Sequence, residues 1–263
     1  MSDLDTLERL ETQAEEMLAT IRTLKSRLEV TSAPAVPIEP PEPANDASFA
    51  FTDYGRFYDF LRGNKMLGPK ITTEEFDGCD AILKACTRVS WPVSFTAYAM
   101  ATAFLETAAT MQPIKERGGA SYFHRMYDIQ GARPAKAREL GNLSPGDGAR
   151  YCGRGYVQLT GKANYAKATA KLRALGFDID LVANPDLALR PDVAAAIMVL
   201  GMQEGWFTGR KLSDDLPTRG PASASQFKAS RDIINGRDKD DEIAAFAVDF
   251  QTGLQAGGYR IAA

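Results

Sequence analysis

Two glutamates ten residues apart, Glu106 and Glu116, stand at either end of the run TAATMQPIK, at the close of a long apolar stretch. Residues 92–111 read as a helix that is apolar on most of its surface and is therefore buried. A carboxylate beside an apolar helix face either pairs with a cation or stays protonated. The protonated state is the one a general acid uses near neutral pH. On one continuous helix the two glutamates would stand about 15 Å apart at 1.5 Å per residue, too far for concerted acid and base work. Pro113 is expected to end the helix, and a chain that folds back there can bring the carboxylates to the roughly 6.5–9.5 Å that leaves room for a water. The alternative for Glu116 is a solvated charge in the KER run, and for Glu106 a structural ion pair.

A second constellation is YCGRGYVQLTGKANY at 151–165, which reads as a tight Gly-rich turn, a short extended piece and a helix. Gly153 and Gly155 permit close backbone approach to a ligand, and Gln158, Thr160 and Asn164 carry neutral donors and acceptors suited to sugar hydroxyls. Tyr156 and Tyr165 offer flat faces for sugar rings. No GK[ST] follows, so this is not a phosphate loop. With one histidine, His124, and three cysteines without CxxC spacing, neither a zinc site nor a nucleophilic triad is expected, and no metal or cofactor is implied. His124 reads as a surface or supporting residue. Trp206 reads as a core buttress, with a sugar platform as the alternative. Cys79 and Cys86, seven apart in a helical pattern, read as small apolar core groups.

These groups must be positioned by a mainly α domain. Thr72 and Glu75 form a capping-box pattern, Pro92 opens the apolar helix, and periodic runs follow at about 161–175, 191–205, 225–235 and 240–254, with Gly176 as a C-cap. Alternating strand patterns are nearly absent. Tyr156–Leu159 is the best candidate, so at most a small hairpin or sheet is expected near 145–160. The domain is expected to span 50–263. Before it, Leu7, Leu10, Ala14, Met17, Ile21, Leu24 and Leu28 mark a heptad seam, so residues 1–30 read as a short coiled-coil helix that self-associates or docks on its own domain or a partner. Residues 31–49 hold five of the 14 prolines and read as an extended linker.

A formal charge of −3 and a pI near 5.4 give no sequence-independent attraction to nucleic acid or to an anionic wall, so substrate binding is expected to come from a shaped site. The N-terminus has neither a basic n-region nor an apolar h-region, and no stretch of 18 apolar residues occurs, so no membrane span is expected, and synthesis in the cytoplasm without a signal peptide is expected.

FLETAATMQPIKE, YFHRMYDI, GDGARYCGRGYVQLTGKANY, AAAIMVLGMQEGWFTGRKLSD and RDIINGRDK occur in that order, and together resemble the successive motifs of family 19 chitinase-like phage lysozymes over about residues 56–255. The resemblance implies a helical lysozyme-like fold and cleavage of β-1,4 bonds between amino sugars of peptidoglycan strands. It gives Glu106 the role of general acid and Glu116 that of base for a water positioned by Thr160. It gives Gln158, Asn164, Tyr156 and Asn235 to the substrate, and Arg154 and Arg231 to the organisation of the carboxylates. Leu105 stands where the family commonly has His, and Cys152 where it often has Arg. Two other classes stay open: a glycan-binding virion structural protein whose site has decayed, motivated by Leu105, and a lytic transglycosylase using one carboxylate. The coil and linker suggest an enzyme tethered to a phage particle or other assembly, acting at the bacterial cell wall.

Overall fold

The computed structural model describes residues 49–64, 66–68, 70–234 and 239–261. The expected coiled coil, the linker up to residue 48 and Asn235 lie outside the described residues.

The described chain is mainly α. Its helices are α1 (Tyr54–Gly63), α2 (Thr73–Arg88), α3 (Val93–Glu106), α4 (Ala120–Tyr127), α5 (Pro134–Glu139), α6 (Asp147–Arg150), α7 (Lys162–Ala174), α8 (Pro191–Glu204), α9 (Ala224–Ala229) and α10 (Asp240–Ala256). Two short antiparallel pairs complete it: β1 (Phe49–Ala50) with β4 (Arg260–Ile261), and β2 (Ile114–Lys115) with β3 (Arg154–Gly155).

The core is organised by helices that lack a polar face. Every residue of α3 from Val93 to Phe104 is buried, as is α8 from Val193 to Met202. A helix that is apolar all round must be covered on all sides. α10 and α2 pack against α3, α2 also packs against α8, and α10 is itself flanked by α1 and α9. Cys79 and Cys86 of α2 are fully buried in this core. Burial pushes both thiols up, Cys86 to about 12, so neither is a ready nucleophile.

Local sequence explains where the helices begin and end. Thr72 and Glu75 form a reciprocal capping box at the start of α2, and Ser223 with Gln226 does the same for α9. Gly176 follows the end of α7 at φ +87°. Two boundaries differ from expectation. The apolar helix stops at Glu106, seven residues ahead of Pro113, because the chain turns through left-handed backbone at Ala108, Ala109 and Met111. The extended pair is Arg154–Gly155 on Ile114–Lys115, and residues 156–158 form the turn that lets Leu159 bridge back to Arg154. Gln158 at φ +51° makes that reversal tight enough to break an alternating strand.

α4 packs on α5 and α6 to form a small lobe, and Asp128 holds it together. Its carboxylate, 1% exposed, accepts backbone N–H groups of Gln130 at 3.1 Å, Gly146 at 2.8 Å and Gly148 at 3.2 Å. Burial alone would raise its pKa, but these donors and the nearby His124 outweigh it and hold the carboxyl below its usual value. A folded pKa below the unfolded one gives stability that is present above the unfolded value and lost as pH falls through the folded value. Asp128→Asn should therefore cost about 1–3 kcal/mol at neutral pH and should flatten the acid side of the stability profile below about pH 4. Chemical denaturation of both proteins across pH checks this, and an unchanged acid limb would reject the role.

Candidate functional site

Glu106 is the last residue of α3, so the buried helix delivers its carboxylate where the core opens. Its side chain is 21% exposed and pairs with Arg231, whose Nη1 donates to Oε1 at 3.2 Å from a side chain only 3% exposed. Arg231 lies in a short 3-10 turn, Ser230–Ile233, and two contacts fix that turn: the Tyr98 hydroxyl of α3 donates to Ser230 O at 2.7 Å, and Arg210 bridges Asp232 and Asp215.

The chain between the glutamates is held from several sides. The Thr107 hydroxyl donates to Ala103 O at 2.7 Å and accepts from Met111 N at 3.0 Å, closing the reversal. Tyr156 Oη donates to Met111 O at 3.1 Å and Gln158 Nε2 to Ile114 O at 3.2 Å. Gly78 of α2 lies beneath, and a Cβ there would stand 1.8 Å from Met111 O.

Glu116 follows β2 directly. Its backbone N–H donates to Gly153 O at 2.9 Å, and its Oε2 accepts the Gly153 N–H at 3.0 Å. Its Oε1 accepts the Tyr127 hydroxyl at 2.8 Å. Each carboxylate oxygen thus has one fixed donor and keeps acceptor capacity for a water. Burial, then the hydrogen bond to Glu116, pushes the Tyr127 hydroxyl above its usual pKa, which keeps it a donor.

Gly153 is the point on which the site converges. A Cβ there would stand 2.6 Å from Gln158 Oε1, 3.1 Å from Glu116 Oε2 and 3.2 Å from Thr160 Oγ1. A carboxylate, an amide oxygen and a hydroxyl therefore face one small space that only glycine leaves open. Both amide hydrogens of Gln158 are used, on Ile114 O and Gly155 O, which fixes its oxygen on the Gly153 side. Thr160 donates to Gln158 O at 2.9 Å, leaving its oxygen lone pairs to accept from water. Asn164 Nδ2 donates to Thr160 O at 2.7 Å and pins that residue to the start of α7.

Several expected roles change. Tyr156 and Tyr165 are 0% exposed and present no face to a sugar ring. Tyr156 instead braces the turn between the two glutamates. Arg154, 4% exposed, does not organise either glutamate: its Nε pairs with Asp186 at 2.7 Å, and its Nη1 donates to Arg150 O, Cys152 O and Tyr165 Oη. The backbone approach allowed by Gly153 is to Glu116 itself. Trp206 is half-buried against the core, donates to Glu204 at 3.0 Å and is covered by the Lys167 ammonium 4.8 Å from a ring centroid. His124 is exposed.

Tyr127 and Asn142 are contributors the sequence does not announce. Asn142, fully buried, donates to Tyr127 O and accepts from Lys162 N, both at 2.9 Å, tying the tyrosine to the helix that begins just after Thr160. A cleft of about 630 Å³ lined by Asp53, Arg56 and Arg260 contains none of these groups. Among the described residues, no cluster of His, Cys, Asp or Glu could hold a metal ion, and no helix is long and apolar enough to cross a membrane.

No protein-family model matches the chain, and no curated protein matches it. Among solved structures it is similar to chitinase C from Streptomyces griseus HUT6037, with 22% identity and a TM-score of 0.46 over 80% of this chain and 79% of that one. It is also similar to a bacterial family 19 chitinase, with 20% identity and a TM-score of 0.45 over 81% of this chain and 98% of that one.

Two substitutions probe the Glu116 cluster. Gly153→Ala should displace Gln158 and Glu116 by ångström amounts and lower any turnover that depends on Glu116 on the order of 10²-fold, while the protein still melts cooperatively. Tyr127→Phe removes one donor to a charged acceptor and should lower kcat roughly 10- to 100-fold with KM little changed. Steady-state kinetics beside thermal melts reads both; full turnover in either variant would show that Glu116 needs no such positioning.

Proposed function

We propose that this chain is a glycoside hydrolase of the family 19 chitinase-like lysozyme kind, which cleaves β-1,4 bonds between amino sugars of peptidoglycan with inversion at the anomeric carbon. Glu106 protonates the leaving oxygen, and Glu116 takes a proton from a water whose other hydrogen is accepted by the Thr160 hydroxyl oxygen. The observation that carries this reading is the convergence of Glu116, Gln158 and Thr160 on Gly153. A hydroxyl and a carboxylate sharing one pocket are what a base-activated water requires. Arg231 holds one oxygen of Glu106 while the side chain stays partly exposed, which orients an acid toward a substrate that approaches from solvent.

The same observation weighs against the two rivals. A transglycosylase needs no water-activating carboxylate, whereas Glu116 is held by two donors in a geometry suited to that task. Leu105, the motive for a decayed site, packs against the core. The peptidoglycan assignment rests on the ordered motifs of the phage-lysozyme branch.

Glu106→Gln keeps shape but cannot donate the proton, so kcat should fall about 10²- to 10⁴-fold with folding intact. Glu116→Gln should be impaired over a similar range. Proton NMR of the first product should show the inverted anomer, and mass spectrometry of digested peptidoglycan should show new reducing ends. Anhydro sugars together with a near-active Glu116→Gln protein would establish the transglycosylase route. Native turnover by Glu106→Gln would reject the mechanism.

A further inference from the structure

The overall charge of −3 conceals a strong asymmetry. Between Lys115 and Lys167 the sequence carries ten Lys and Arg against four Asp and Glu, a local balance of +6, so the remainder stands at −9. This is the segment that builds the α4–α6 lobe and the Glu116 side of the site. In the structure each of its four acidic groups is engaged. Asp128 is 1% exposed and held by backbone N–H groups; Asp147 is 6% exposed, accepts from Ser144 N and pairs with Lys162. Glu139 pairs with Lys136, and Glu116 is committed to the site.

The cations are turned outward. Arg117, Arg125, Arg133 and Arg138 are exposed, and no ion pair, hydrogen bond or ring contact engages their guanidinium groups among the described residues. They belong to one small lobe. Arg117 follows Glu116 directly, and the next residue, Gly118, lies against Tyr122 and Phe123 of α4. Arg125 O accepts Ala132 N at 3.0 Å, so Arg125 lies beside the chain entering Arg133, the N-cap of α5, while Arg138 is in the last turn of that helix. Elsewhere, arginines such as Arg173, Arg190 and Arg210 are paired with carboxylates. Charges beyond about 8 Å are largely screened at physiological ionic strength, so an approaching polymer responds to this lobe and hardly to the net charge.

We propose that the α4–α6 lobe is a docking surface for an anionic, carboxylate-bearing glycan, which feeds the strand toward Glu116 and selects against neutral amino-sugar polymers. The proposal rests on the reading that the Glu106–Glu116 site cleaves an amino-sugar glycan. It adds what that site alone does not supply, a reason for a charged wall strand to be preferred over chitin.

The test is binding of the full chain, by co-sedimentation, to purified peptidoglycan and to colloidal chitin at about 50 and about 300 mM NaCl. The native protein and an Arg125→Gln, Arg133→Gln, Arg138→Gln variant are compared. Peptidoglycan binding should weaken at least about tenfold in the variant, its salt dependence should shrink, and chitin binding should be unmoved by either change. Salt-independent peptidoglycan binding by the native protein overturns the proposal whether or not the variant folds. So does equal loss on chitin, or inorganic polyphosphate displacing the protein at concentrations where polyglutamate does not. Because the readout is binding, a charge-dependent interaction in a protein without turnover would sink the hydrolase reading and leave the surface standing.

Discussion

The constraint on which the rest depends is the burial of α3. A helix with no polar face has to be wrapped by neighbours along its length, and α2 and α10 do so. The wrapping stops where the helix stops, and the residue at that boundary is Glu106. Its partial exposure follows from being the first polar side chain past a sheath of apolar ones. The reversal that follows is conformationally expensive. Ala108, Ala109 and Met111 occupy left-handed backbone at φ +52°, +68° and +53°, each costing on the order of 1–2 kcal/mol for a residue with a Cβ. It persists because the Thr107 hydroxyl, Tyr156 Oη, the Gln158 amide and close packing on Gly78 fix it from different directions.

The two carboxylates are governed by different parts of the chain. Glu106 answers to the C-terminal half, through Arg231 and the Arg210–Asp215–Asp232 network. Glu116 answers to the 127–164 region, through Tyr127, Gly153 and the bridge made by Asn142. The turn at 107–113 joins these supports, and the 156–158 loop clamps it, so the residues presenting Gln158 and Thr160 also set the path of the peptide between the glutamates.

Much of this was legible where local rules operate. The capping box at Thr72 and Glu75, the helical run at about 191–205 and the burial of Cys79 and Cys86 follow from spacing alone. Glu106, Glu116, Gln158 and Thr160 could be singled out because polar groups in apolar or glycine-rich surroundings stand out. Long-range pairing was not legible. Tyr156 looked like a sugar platform because nothing in GRGYVQ reveals that its hydroxyl reaches Met111 O, 45 residues away, with its ring sealed in the core. Arg154 looked like an organiser of the carboxylates until Asp186, 32 residues on, claimed it. Tyr127 was overlooked because its role depends on the lobe folding back on Glu116. The field of that lobe was hidden by a net charge summed over the whole chain.

The pairing of Phe49 with Ile261 and of Ala50 with Arg260 brings the two ends of the described domain side by side. Chain arriving at residue 49 and chain departing at residue 261 thus share a single doorway. Tension drawn through both would open this two-rung ladder one rung at a time, like a zip, and the elements carrying Glu106 and Arg231 would bear little of the load until the ladder had parted. The fold can accordingly be spliced between the segments of a larger chain, or hung from one attachment point, without its helical core becoming part of the rope.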